Sequence, residues 1–100
     1  MVQITIDSLS NNCSVRMEGH ADYAEHGRDI VCSAISVLTY TFANMLATNG
    51  AKDLKVDLDG EIRTITFLNE RSEKLDTILD CFVMGLRLLE ASYPEHVKID

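Results

Sequence analysis

The chain has 100 residues, 46% of them apolar, and is read as a single domain over residues 1–100. A chain of this length buries roughly 60–70% of the surface its unfolded form exposes, enough for one real core. Sixteen acidic residues against nine basic ones give a formal charge of -7, the wrong sign for a nucleic-acid surface. Three cysteines, Cys13, Cys32 and Cys81, are odd in number and widely spaced, which excludes a closed disulfide framework and fits a reducing cytoplasm.

Val2, Ile4 and Ile6 alternate with Gln3, Thr5 and Asp7, the period of a half-buried strand. The same alternation at the start leaves no apolar run of the kind a secretory signal needs. After turn residues at 8–12, Cys13, Val15 and Met17 alternate with Ser14, Arg16 and Glu18, so a second strand and a hairpin are expected. Residues 19–28 follow neither period and carry Gly19 and Gly27 near their ends, which predicts a loop with two mobile hinges. Asp29 is a suitable N-cap for a helix that runs to about Thr48 and stops at Asn49-Gly50. Residues 30–51 carry no charge, a length that would span a bilayer, but Ser33, Ser36, Thr39, Thr41, Asn44 and Thr48 lie inside it. The expectation is a helix enclosed by protein on nearly all sides, in part by a second copy of the chain, and no membrane span.

Leu54, Val56 and Leu58 predict a third strand, and Asp59-Gly60 a hairpin into a fourth at about 62–68. Any odd-sum pairing across that turn puts Ile65 and Phe67 on the face of Leu54 and Val56. Leu75, Ile78, Leu79, Phe82, Leu86 and Leu89 recur at helical spacing, giving a second helix that ends before Tyr93-Pro94, and Val97 and Ile99 suit a short edge strand. The fold class is α+β: a mostly antiparallel sheet in ββ-α-ββ-α order, with two helices packed on it and a final edge strand.

Cys32 is the third residue of the helix that Asp29 caps, near unpaired backbone N–H groups and the positive end of the helix dipole. That setting favours the nucleophilic thiolate, and an imidazole beside it would serve as ion-pair partner and proton donor. His20 follows Gly19 at a strand end, whereas His26 sits in mid-loop beside Gly27. A base must be held within reach of its nucleophile, so His20 is favoured. The plainer reading of a cysteine in an apolar helix is core packing. Cys13, on the apolar face of a strand, and Cys81, in a stripe with Met84 and Leu88, both read as core. His96 reads as a solvated surface residue, and Gly85 as a close-packing point. His20, His26 and Cys32 lack the close ligand pairs of a structural zinc site, so no metal is expected.

A longer pattern is more specific. Gly19-His20-Ala21, then Tyr23-Ala24, Gly27, and Asp29-Ile30-Val31-Cys32-Ser33-Ala34-Ile35-Ser36 resembles the signature of the ribosomal-processing cysteine proteases called Prp. The resemblance extends over the alternating first strand, the Asn44 segment of the first helix and the closing Tyr93-Pro94 with Val97. It implies that Cys32 is the nucleophile and His20 its general base, the pair chosen above on local chemistry. It also matches Gly19 and Gly27 to loop glycines that would let residues 20–28 swing over the site, and Asp29 and Ser36 to polar positions of the signature. Asp29 is open to a second reading as a plain helix cap. Ser36, one turn after Cys32, would orient a side chain or bond the Cys32 carbonyl.

The implied reaction is peptide hydrolysis through a thioester, with helix-start N–H groups stabilising the oxyanion. The implied substrate is the N-terminal extension of large-subunit ribosomal protein 27, in the cytoplasm, with no cofactor. Two rivals are a non-catalytic homodimeric module that binds a ribosomal protein or assembly factor, and a redox-sensing thiol protein. The sensor lacks a resolving partner if Cys13 and Cys81 are both buried.

Overall fold

Apolar residues at every second position build a sheet with one dry face, and two apolar helices cover it. In a computed structural model, which describes residues 1–25, 27–70 and 72–100, the order is β1 (Val2–Asp7), β2 (Asn12–Glu18), α1 (Ile30–Thr48), β3 (Lys55–Asp57), β4 (Ile62–Leu68), α2 (Glu73–Ser92) and β5 (Val97–Ile99). The five strands lie in the order β3-β4-β2-β1-β5. All neighbours are antiparallel except β1 and β5, so the sheet is mixed, as the final edge strand makes it.

Register carries the alternation across the sheet. Ile4 pairs with Met17 and Ile99, and Val15 with Ile6 and Ile65, so inward side chains form continuous rows. Val56 pairs with Ile65, the odd-sum register expected from Asp59-Gly60. Strand β3 is shorter than its apolar spacing suggested, because only Lys55–Asp57 ladder onto β4 while Leu54 and Leu58 pack on the core rim. Cys13 lies buried in the inner face, where burial first, then the nearby Asp7 and Asp76, push its thiol up to about 11. It stays protonated and unreactive at neutral pH.

Helices α1 and α2 run antiparallel, with Leu38 against Gly85 and Phe42 stacked on Phe82 at a centroid distance of 4.2 Å. The buried stripes include Val31, Ile35, Phe42 and Leu46 on α1, and Leu75, Phe82 and Leu86 on α2. Within one chain the sheet and α2 leave Ile30, Val37, Tyr40 and Met45 of the uncharged helix exposed. One expectation is corrected here. Cys81 is exposed as well, with Met84 and Leu88. The physical reason is shared: one sheet face covers one stripe of each helix, and a second apolar stripe is left outside. Helix α1 has the length and apolar character of a membrane span, yet its inner stripe packs on the sheet.

Gly85 is the close-packing point that its place in an apolar helix suggested. A Cβ there would meet Leu38 Cδ2 at 2.7 Å and Cδ1 at 3.1 Å. Gly85→Leu should therefore destabilise the protein by about 1–3 kcal/mol through overpacking, read from urea unfolding. Gly85→Ala should cost less, because the helix gain of alanine offsets part of the Leu38 shift.

Candidate active site

The site is assembled where the end of β2 meets the start of α1. Asp29 is the α1 N-cap, extended at φ -82° and ψ 100°, and its Oδ1 accepts the Cys32 N–H at 2.9 Å. Its Oδ2 accepts the Tyr23 N–H at 3.0 Å and the Ala24 N–H at 3.5 Å. One carboxylate thus starts the helix and ties the 20–28 loop to it. Asp29 is only 8% exposed. Burial pushes its carboxyl up, but the backbone N–H groups of Cys32, Tyr23, Ala24 and Val31 outweigh that and hold it below its ordinary value. The cap reading of Asp29 accounts for Oδ1, and the loop N–H groups account for Oδ2.

Cys32 sits half-buried in the first turn of α1, the third helical residue as expected. A cleft of about 620 Å³ opens above it, lined by His20, Gly27, Asp29, Cys32, Ser36 and Val37 among others. All the residues singled out in the sequence as site candidates, except Gly19, therefore line one cleft. His20 arrives from the sheet and Cys32 from the helix. The imidazole is exposed, with Nε2 at 3.9 Å from Glu61 Oε1. His26 lies outside the described residues, and among those described no three His, Cys, Asp or Glu side chains converge as metal ligands.

Gly19 is not the mobile hinge expected of it. Its φ of +91° belongs to the region glycine adopts freely, and a Cβ would meet the Met1 carbonyl oxygen at 2.6 Å. Its N–H donates to the Glu61 carbonyl at 3.1 Å, and its own carbonyl accepts Arg63 Nη2 at 2.6 Å. Gly27, at φ +85°, has open space around it, so only its backbone conformation calls for glycine.

Two of the helix-start N–H groups are already engaged. The Cys32 N–H is engaged by Asp29 Oδ1, and the Ser33 N–H by the Asp29 carbonyl at 3.0 Å. The first is a capping bond and the second opens the helix ladder, so a helix-start oxyanion site would draw on the N–H groups before Cys32. His96 is also not a solvated surface residue: it is half-buried, with Nδ1 at 2.8 Å from the Ala21 carbonyl. Glu61, Arg63 and His96 escaped the sequence reading as site neighbours. Only a knowledge of strand order would have brought them to His20.

A family model described as Cysteine protease Prp matches residues 1–98. The chain belongs to this family of cysteine proteases. Among Prp relatives, the ribosomal processing cysteine protease Prp of Staphylococcus aureus is 28% identical over 101 residues, covering 99% of this chain and 95% of the relative. The Mycoplasma pneumoniae Prp is 29% identical over 101 residues, covering 100% of this chain and 94% of the relative. The fold is that of a crystal structure of the ribosomal processing protease Prp from S. aureus with a covalently linked product peptide. There the TM-score is 0.87 at 24% identity, with 100% of this chain and 98% of that one covered. Prp membership makes this chain a cysteine protease and sets aside the non-catalytic module. The redox reading still lacks a resolving partner: Cys81 is exposed, but it sits beside Thr41 and Phe42, well along α1 from Cys32.

Removing the cap should expose its double role. Asp29→Ala is expected to destabilise the fold by about 1–2 kcal/mol, the usual value of a helix cap. The carboxyl is held below its unfolded value of 3.8, so its stabilisation is full above that value and is lost as pH falls through the lower folded one. The stability gap between wild type and Asp29→Ala in urea unfolding should therefore be widest at neutral pH and close in acid.

Proposed function

We propose that this protease cleaves the N-terminal extension from the precursor of large-subunit ribosomal protein 27, with Cys32 as nucleophile and His20 as general base. The observation that supports it best is the shared cleft: a cysteine at a helix start and a histidine at a strand end line it together. A peptide is the occupant this reading calls for, and the S. aureus protease was crystallised with a covalently linked product peptide.

In this reading the Cys32 thiolate attacks the scissile carbonyl carbon and forms a C–S bond. His20, protonated, gives its proton to the departing amine as the C–N bond breaks, leaving a thioester. A water then loses a proton to His20 and attacks the thioester, the C–S bond breaks, and thiolate and imidazolium are restored. Asp29 orients the helix start that presents Cys32 and does not touch the peptide. Ser36, one turn on and facing the cleft, supports substrate placement. The protein works in the cytoplasm as a homodimer in the same reading. The exposed apolar side chains on its helices, Val37 at 66% and Met84 and Leu88 at 64%, support a helix-mediated pairing.

Incubation with the precursor's N-terminal peptide, followed by mass spectrometry, tests the reading. A single cleavage is expected, abolished in Cys32→Ala and slowed roughly 10²–10⁴-fold in His20→Ala. Cleavage that survives Cys32→Ala would remove Cys32 from its role. With the full-length basic substrate, kcat/KM should fall as salt is added, because a charge of -7 steers the encounter. A rate flat in ionic strength would count against steering.

A further inference from the structure

His20 poses a mechanical problem. Its imidazole is exposed, and its nearest charged neighbour is the equally exposed Glu61 carboxylate at 3.9 Å. Little packs around the ring, yet a base must stand within a fraction of an ångström of a working position. The precision has to come from the backbone that carries it.

That backbone is gripped on both sides. Before His20, the Gly19 carbonyl accepts Arg63 Nη2 at 2.6 Å. Arg63 reaches it from the inner face of β4, opposite Met17, with its Nε buried and unpartnered among the described residues. An apolar residue in that row would avoid this desolvation, so the guanidinium serves the carbonyl it meets. After His20, the Ala21 carbonyl lies 2.8 Å from His96 Nδ1, and the Ala21 methyl is fully buried. A carbonyl oxygen only accepts, so His96 Nδ1 carries the proton.

His96 is itself held in place. Its N–H donates to the Tyr93 carbonyl and its carbonyl accepts the Val2 N–H, each at 2.9 Å. Tyr23 packs edge-on against both the His96 ring, at 5.4 Å, and the Tyr93 ring, at 5.3 Å. The Tyr23 N–H in turn reaches Asp29. The anchor is continuous from the α2–β5 turn to the cap of the helix that carries Cys32.

We infer that His96 is a positioning residue for catalysis: by donating to the Ala21 carbonyl it completes, with Arg63 on Gly19, a clamp that fixes His20 against Cys32. This inference rests on His20 being the base, as proposed above.

Two variants separate the donor from the ring. His96→Phe keeps an aromatic face for Tyr23 and loses the donor, while His96→Asn keeps a donor near the Nδ1 position and loses the ring. For peptide cleavage, His96→Phe should lower kcat about tenfold with KM unchanged within about twofold, and His96→Asn should restore kcat to within about threefold of wild type. The His20 imidazole signal, assigned by its absence in His20→Ala and recorded by NMR without substrate, should be single in wild type and His96→Asn but broadened or doubled in His96→Phe. Wild-type kcat with an unchanged His20 signal in His96→Phe would overturn the clamp. So would a His96→Asn as impaired as His96→Phe, since the ring and not the donor would then matter. Failure of wild type to cleave any peptide would sink the protease-substrate reading instead, and the substrate-free His20 signal would still decide the clamp.

Discussion

The Asp29 carboxylate joins the two halves of the site. A helix start leaves backbone N–H groups without partners, and a loop crossing over it has the same problem. Asp29 answers both at once, with Oδ1 on the Cys32 N–H and Oδ2 on the Tyr23 N–H. The cost of burying a charge is met by the number of N–H groups pointed at it. The arrangement has a chemical side effect, because the Cys32 N–H that holds Asp29 is no longer free to meet an oxyanion. Cys32 is thus presented by a capped turn rather than by an open one.

The rest of the molecule supports this junction from below. The rows of inward side chains, set by the register of β1, β2, β4 and β5, fix α1 against the sheet through Val31, Ile35 and Leu46. Because Val31 and Ile35 flank Cys32 in sequence and are fully buried, the cysteine is turned toward the cleft by the packing of its neighbours. The core decides where the sulfur points.

Local features of the site were legible in the sequence because they depend on a few adjacent residues. Asp29 before an uncharged run gave the cap, the cap gave the third-residue position of Cys32, and alternation gave the strands with their inner faces. What was missed depends on distant pairing. Gly19 lies beside Glu61 only because β2 pairs with β4, and His96 reaches Ala21 only because β5 lies along β1. Without strand order, Gly19 looked like a hinge and His96 like a surface residue. The exposure of Cys81 was hidden for another reason. Helix α2 carries two apolar stripes, and periodicity alone does not say which one a sheet will cover.

The parallel pairing of Val2 with Val97 and Ile4 with Ile99 also bears on when the site comes into being. Contacts between such distant parts of a chain close the largest possible loop and are favoured late in folding. During synthesis the helix cap and the β1–β2 hairpin have every residue they need while the chain is still short. The turn that bears His96 has not yet been made. A nascent chain can therefore cap the helix that carries Cys32 early, while the sheet on which that helix packs is completed only when residues 97–99 have emerged.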